Sequence, residues 1–462
     1  METVTELPAG SPGAGAAARQ GAALAYGFGA LGGLLFGYDI GVIGGALLFI
    51  RKAMALTPLM QGVVVSSILV GALIGAGVSG QVVDRFGPRR LLMLSGALLT
   101  LGSGGAALST GPEMLVAFRV LTGLGVGAAS VQVPLYLAEL APTRARGGLT
   151  TLNQLMISLG IFVAYLVDYG LAGTGAWRVM IGLAMIPSVL LLVGMWSQPD
   201  SPRWLARHGR SAEAHAVLLR TRTATEADAE LADMQLAARA RRSGLVELLS
   251  DPGFRRSLLL ACALAVLQQV IGINTIIYYA PTIFSAAGFK SSAAILVAVG
   301  LGALTLVTTL VTSQIIDRVG RRPLMLGGAL GMALCMTVLG VIFLQGALRG
   351  EAMIVLAILC IAAYKVAFSL SWGPIVWVLL PEVLPLNGRG PGMGVAATLN
   401  WVANFVVALT FPVMLAVGAG AIFLIFACFA IVAFIVAWRL LHETSGRSLE
   451  QIELAGSFTA TH

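Results

Sequence analysis

The chain has 462 residues, of which 58% are hydrophobic and only 11% are charged, and its mean hydropathy is +0.90. Soluble domains carry about 25% charged residues, so this composition excludes an ordinary soluble globule. The net charge of +8 would suit a nucleic-acid-binding protein. However, if the N-terminus is cytoplasmic, 22 of the 29 Lys and Arg residues fall on cytoplasmic segments. This excess of positive charge on the cytoplasmic side is typical of multi-pass membrane proteins and explains the net charge. We therefore predict a multi-pass protein of the plasma (inner) membrane with both termini cytoplasmic and no nucleic-acid partner.

The predicted elements follow a six-plus-six plan. Residues 1–20 form a disordered tail, 21–197 a first six-helix bundle, 198–256 a cytoplasmic loop with short helices, 257–441 a second six-helix bundle, and 442–462 a cytoplasmic tail. Apolar segments of about 20 residues are long enough to cross a bilayer. The twelve predicted spans are 24–50, 60–82, 91–110, 113–138, 149–172, 177–197, 257–287, 292–316, 323–346, 352–380, 391–416 and 419–441.

Two charged signatures occur once in each half of the chain. The motif at Asp84–Arg90 returns at Asp317–Arg322, and the Glu-x-x-Pro-x-x-x-Arg-Gly motif at Glu139–Gly147 returns at Glu382–Gly390. The offsets, 233 and 243 residues, are about half the chain. Duplicated halves around a central pathway are typical of secondary transporters, so we interpret the chain as two related bundles.

The seventh span carries an unusual group of amides and tyrosines at Gln268–Tyr279. Such side chains are costly in hydrocarbon unless they meet partners or a water-filled cavity. On a straight helix Gln269 would point about 140° away from Asn274. Both could line one cavity only if the span breaks, and Gly272 is the predicted position of the break.

With the repeated signatures, this stretch resembles the sugar porter family of the major facilitator superfamily. Pro199–Leu205 is similar to that family's Pro-Glu-Ser-Pro-Arg signature, and Glu443–Leu449 to its C-terminal Pro-Glu-Thr-x-Gly-Arg motif. The resemblance covers residues 24–453 and implies an all-α membrane protein with the major facilitator fold, with twelve transmembrane helices in two pseudo-symmetric six-helix bundles. The sequence departs from the family pattern near the charged motifs at Pro88, Asp200, Ser313 and His442.

A monosaccharide has hydroxyl groups around a ring with apolar C–H faces, so its site needs amides, which both donate and accept, and flat aromatic surfaces. The alternative is that such amides only bridge helices. Thr305 stands where many monosaccharide porters have Asn, which leaves the sugar's identity open. The substrate-binding residues that the resemblance implies are Phe36, Gln154, Gln268, Gln269, Asn274, Tyr278, Thr305, Trp377, Asn400 and Trp401.

Charged side chains also lie within predicted spans. Asp39 in the first span and Arg119 in the fourth are each costly alone in hydrocarbon, so we expect them to meet each other or water. Their positions match the proton-coupling Asp and its Arg partner in sugar–proton symporters, whereas passive facilitators typically have no acid at the first position. A static buried ion pair is the alternative. Lys365 in the tenth span could snorkel to the interface or line the pocket.

Charged residues at the cytoplasmic ends of the spans form a predicted latch between the halves. Exposed ion pairs each contribute at most about 1 kcal/mol. A network of them that is broken in one conformation can therefore shift the equilibrium between conformations without making either one permanent. Retention of topology by positive charge would explain the same residues. Ser371–Pro374 predicts a helix break in the tenth span. The predicted gating residues are Arg85, Arg89, Glu139, Arg146, Asp200, Arg318, Arg321, Glu382, Arg389 and Glu443.

These features favour a proton-coupled monosaccharide symporter that works by alternating access, with a hexose such as glucose as the expected sugar and xylose as another. A passive facilitator and a non-transporting sugar receptor are the alternatives. The sequence has no phosphate-binding loop, nucleophile–base pair or metal-ligand spacing, so we predict no enzyme activity, no cofactor and no metal. The expected partners are a monosaccharide, a proton and the lipid bilayer, and we expect a monomer.

Overall fold

The computed structural model describes residues 12–140, 146–239, 245–286, 288–345, 351–385 and 388–443, and these residues are largely helical. The first half contains α1 (Pro12–Ala53), α2 (Pro58–Phe86), α3 (Pro88–Ala107), α4 (Pro112–Leu140), α5 (Arg146–Leu171), α6 (Trp177–Gly182) and α7 (Met185–Trp196). The polar segment contains α8 (Pro202–Arg207), α9 (Ser211–Leu218), α10 (Ala224–Arg239) and α11 (Leu245–Leu248).

The second half repeats the plan of the first. It contains α12 (Pro252–Val270), α13 (Ile273–Ala286), α14 (Ser291–Val319), α15 (Arg321–Leu344), α16 (Glu351–Ser369), α17 (Trp372–Val383), α18 (Arg389–Val417) and α19 (Ala419–Leu440). Within the described residues, 12 stretches are long and apolar enough to cross a membrane, six on each side of the polar segment. The predicted number of spans is therefore confirmed.

The start of α1 differs from the prediction. This helix begins at Pro12, so residues 12–20 are helical, although we expected them in the disordered tail. Alanine is frequent in this stretch, and it has the highest helix propensity of all residues. The rest of that tail, residues 1–11, and residues 444–462 of the predicted C-terminal tail lie outside the described residues.

The duplicated signature has the same backbone turn in both halves. Gly87 joins α2 to α3 with φ 88° and ψ 157°, and Gly320 joins α14 to α15 with φ 95° and ψ 159°. Side chains rarely adopt such a φ, so both turns favour glycine. An acidic side chain lies beside each turn: Asp200 beside Gly87 and Glu443 beside Gly320. The internal repeat seen in the sequence is thus also a structural repeat.

Glycine lets α1 and α5 pack closely in parallel. Gly37 on α1 lies against the backbone of Ile157 on α5, and one turn further Gly41 lies against Ile161. A Cβ atom at either position would collide with the neighbouring helix, so contact at this distance requires a residue without a side chain. The two helices therefore form one unit within the first half.

Several contacts between the two halves lie at one end of the bundle. We call the end that holds the charged signatures and α8–α11 the motif end, and the opposite end the far end. Contacts between the halves close the far end, and we call them the far-end seal: the Tyr165 hydroxyl donates to the Ile277 carbonyl at 2.6 Å, Arg51 Nη2 donates to Ser285 Oγ at 3.3 Å, and Gly62 packs against the Leu409 backbone.

Candidate functional site

The seventh span is interrupted where the sequence predicts. Helix α12 ends at Val270 and α13 begins at Ile273, and Gly272 between them has φ 94°. The interruption changes the direction of the side chains that follow it. As a result, Asn274 Nδ2 donates to Gln269 Oε1 at 2.7 Å, although a continuous helix would hold these side chains apart.

Four amides from two spans form one hydrogen-bonded cluster, which we call the amide network: Gln268, Gln269, Asn274 and Asn400. Asn400 Nδ2 donates to Gln268 Oε1 at 2.8 Å and to the Ala265 carbonyl at 2.7 Å. Gln269 Nε2 donates to Asn400 Oδ1 at 3.1 Å and to Gln268 Oε1 at 3.3 Å. Each amide thereby holds its neighbour in a fixed orientation.

A second interrupted span supports the network. Helix α16 ends at Ser369 and α17 begins at Trp372, so the break predicted at Ser371–Pro374 is present. The break places the carbonyls of Trp372 and Gly373 opposite Gln268, whose Nε2 donates to them at 2.9 and 3.0 Å. Backbone groups at two helix breaks and uncharged amides between them are the components from which transporter sites at the bilayer midplane are built.

Two of the predicted aromatic residues contact each other, and one of them, Trp401, follows Asn400 in the chain. The ring of Phe36 on α1 lies 5.9 Å from that of Trp401 on α18, so this pair brings the two halves together. Trp377 is 43% exposed, and Gln154 on α5 is exposed as well, so other side chains of the protein do not cover them. Apolar surfaces combined with a few convergent polar groups suit small molecules.

Two predicted pocket residues have different surroundings. Tyr278 is buried, and its hydroxyl accepts a bond of 3.4 Å from Asn404 Nδ2, so it lies behind the exposed surface. Thr305 Oγ1 donates to the Leu301 carbonyl of its own helix at 2.7 Å. The hydroxyl of Thr305 therefore has a partner already, and its oxygen is left only as an acceptor.

Asp39 and Arg119 are both 4% exposed, as their predicted role requires. They attract each other electrostatically, but they do not form a salt bridge in this conformation. Instead Arg119 Nε donates to the Val64 carbonyl at 2.7 Å, and Asp39 Oδ2 has no hydrogen-bond partner among the described residues. The pair is therefore close but separated.

Two further buried charged groups lie in the spans. Lys365, which the sequence left without a role, is 2% exposed, and its Nζ has no hydrogen-bond partner in the described part of the chain. Asp168 on α5 is fully buried and is absent from the predicted site residues. A carboxylate inside the predicted span 149–172 was the signal that could have identified it.

At the motif end, Glu443 caps a helix. Its two carboxylate oxygens accept bonds of 3.0 Å from the backbone N–H groups of Arg321 and Arg322, at the start of α15. Arg321 Nη2 also lies 3.7 Å from Glu382 Oε1. These contacts all lie within the second half.

The corresponding acid of the first half is Asp200. Burial raises the pKa of its carboxyl group, and the nearby Arg89 guanidinium partly opposes this effect. Arg89 itself donates to the carbonyls of Met195 and Trp196. Glu139 accepts a bond from the Ser201 hydroxyl. The contacts described for these residues also lie within one half and the segment attached to it.

The remaining predicted gating residues contribute less to the described structure. Arg85 and Arg318 are exposed, and the Arg85 guanidinium lies 5.4 Å from the centre of the Phe86 ring. Arg389 Nε is buried without a hydrogen-bond partner among the described residues. The Arg146 side chain lies outside the described residues.

Similarity to known proteins identifies the family. The family model described as "Sugar (and other) transporter" matches residues 27–455. The chain belongs to this sugar transporter family. The glucose transporter GlcP of Staphylococcus epidermidis is 42% identical over 92% of this chain and 95% of its own, and the galactose-proton symporter of Escherichia coli K12 is 40% identical over 92% of each.

A solved structure agrees with the family assignment. The inward-open conformation of the xylose transporter XylE from E. coli matches with a TM-score of 0.81 and 30% identity, over 93% of this chain and 98% of that one. This member of the sugar transporter family therefore has the major facilitator fold that its sequence predicts. It is a multi-pass membrane transporter and not an enzyme.

Proposed function

We propose that this family member is a proton-coupled monosaccharide symporter that works by alternating access, with a hexose such as glucose as the first candidate and xylose as another. The amide network carries the proposal. Its uncharged donors and acceptors suit a ring of hydroxyl groups, and the nearby Phe36–Trp401 pair suits the apolar face of the ring. Relatives named as a glucose transporter and a galactose-proton symporter support a hexose.

We infer that the motif end faces the cytoplasm of a cell with a plasma (inner) membrane and that both termini lie on that side. The excess of Lys and Arg on the segments at this end supports the orientation. Because the far-end seal is closed, sugar would reach the amide network from the cytoplasmic side. The similarity to an inward-open transporter supports the same conformation.

The separation of Asp39 from Arg119 suggests how a proton would be coupled. From the outer side, a proton binds Asp39 and neutralises it, which releases Arg119 and permits sugar binding and closure. In the present conformation Arg119 has the Val64 carbonyl as its partner, as expected while Asp39 keeps its proton. Loss of sugar and then of the proton to the cytoplasm would allow the ion pair to form and reset the cycle.

The test is transport by Asp39→Asn in proteoliposomes. Asparagine resembles the neutral acid in shape but cannot release a proton, so uphill uptake driven by a pH gradient should be abolished. Exchange of labelled for unlabelled sugar needs no net proton movement and should persist. Uphill uptake by the variant at the wild-type level would refute the coupling role of Asp39.

Gln268→Ala is the matched control. It removes a member of the amide network that bonds to Trp372, Gly373 and Asn400, so both uptake and exchange should fall. Loss of exchange in Gln268→Ala together with its survival in Asp39→Asn separates sugar binding from proton coupling. A wild-type protein that only equilibrates sugar, whatever the pH gradient, would be a passive facilitator.

A further inference from the structure

Asp168 is a fully buried carboxyl group that the proposed cycle does not use. Its Oδ2 accepts one hydrogen bond, of 3.1 Å, from the backbone N–H of Gly45 on α1. Its Oδ1 is buried and has no hydrogen-bond partner among the described residues. Gly45 has no side chain, and a Cβ atom there would collide with the carboxyl group. Asp168 is thus fully buried, with Gly45 of α1 packed against its carboxyl group.

No described cation balances this carboxyl group. Each arginine near the far end on the helices packed against α5 bonds elsewhere: Arg51 to Ser285, Arg119 to Val64 and Arg178 to Ser109. Lys52 is exposed, and α14 has charged residues only at its motif end. The titratable side chains within Coulombic range are Tyr38 on α1, which is also in range of Asp39, and Tyr165 on α5.

A buried carboxylate with one neutral donor and no counter-ion is strongly unfavourable in a membrane interior. The neutral acid avoids this cost, because it carries no charge that needs a counter-ion. One of its oxygens accepts the N–H of Gly45 and the other carries the proton. Asp168 is therefore protonated in the conformation in which the far-end seal is closed.

Asp168 lies next to that seal. Tyr165, one turn away on α5, donates to the Ile277 carbonyl of the second half, and Gly44 on α1 packs against the backbone of Ile277. Opening the far end must separate α1 and α5 from α13, and this brings water to within one turn of Asp168. The acid can then ionise into the solution on that side.

We propose that Asp168 is a second proton site, which takes up a proton when the far-end seal closes and returns it to the same side when the seal opens. The proton binds at Oδ1 and leaves from Oδ1 to the far-end solution. Unlike the proton on Asp39, it is not carried across the membrane. Acid on the far side would then favour closure, because closure requires the neutral form. This inference rests on the proposed transport cycle and its orientation.

Sugar exchange in the Asp39→Asn background isolates the effect, because net proton coupling is absent there. We expect exchange to slow once the far-side pH exceeds the value at which half of the Asp168 carboxyl groups are protonated. The exchange rate should then fall by up to about tenfold for each further pH unit. The double variant with Asp168→Asn should lose this dependence, since asparagine can still accept the Gly45 N–H. Tyr165→Phe is the matched control: it weakens the seal but should leave the dependence on pH intact.

Two outcomes would overturn the proposal. One is an unchanged pH dependence in the double variant. The other is a lower sugar accumulation ratio in the single Asp168→Asn variant, which would make Asp168 part of the transported proton's path. Infrared difference spectroscopy in the Asp39→Asn background does not depend on transport: the band of a buried protonated carboxyl group should be present there and lost when Asp168→Asn is added. Its survival in the double variant would contradict a neutral Asp168 even if the protein moves no sugar.

Discussion

Replacing Asn400 by alanine should weaken sugar binding more than replacing Asn404, the next buried amide along α18. The side chain of Asn400 makes three hydrogen bonds. It donates to Ala265 and Gln268 and accepts from Gln269. Alanine removes all three and frees the two glutamines to rotate. Sugar would then have to order these side chains again before it could bind.

The size of the effect follows from the partners that remain. Gln268 Oε1 and Gln269 Nε2 still bond to each other at 3.3 Å, so neither is left without a partner. Each lost bond should therefore cost about 1 kcal/mol rather than the larger penalty of an unsatisfied group. Three such bonds amount to about 3 kcal/mol of order that the sugar would have to restore on binding, so the affinity loss is at most about 100-fold, and recovery of two of them by rearrangement would reduce this to about fivefold.

Asn404→Ala is the matched control, because Asn404 lies one turn along α18 and is equally buried, at 5% exposure. Its one described side-chain bond is long, 3.4 Å to the Tyr278 hydroxyl, so its loss should weaken binding by less than about threefold. Calorimetric titration of purified protein with sugar measures both affinities, and thermal unfolding confirms that both variants fold. Equal effects of the two substitutions would refute the assigned role of the amide network.

Three further substitutions test the fold and the seal. Gly62→Trp should keep the far end open, because even a Cβ atom at Gly62 meets the Leu409 backbone; exchange should vanish while sugar binding survives. Glu443→Ala removes the cap of α15 and should lower the free energy of unfolding by about 0.5–2 kcal/mol in urea titrations. Lys365→Met replaces a buried amino group that has no described hydrogen-bond partner with an apolar side chain of similar length, so the midpoint of thermal unfolding should rise; a fall would indicate a partner for Lys365.

Much of the site was predictable because bilayers restrict what a sequence can contain. A polar residue in hydrocarbon needs a partner or a function, so Asn400 and Asp39 could be named as candidates from their residue type and their place within apolar spans. The interruption at Gly272 was also predictable, because only a broken span could bring Gln269 and Asn274 together. Asp168 satisfied the same criterion, but no repeated motif surrounds it and it was overlooked.

The sequence by itself determined the number of spans, the duplication and the residue types of the site, because these depend on local hydropathy and on motifs that short segments carry. Only the tertiary structure decided which groups bond to each other and which end is closed. The partner of Arg119 is the Val64 carbonyl, and the Asp168 carboxyl meets the Gly45 backbone. Such pairings join helices that are separated in the chain, and they depend on how those helices pack against each other, which no local pattern encodes.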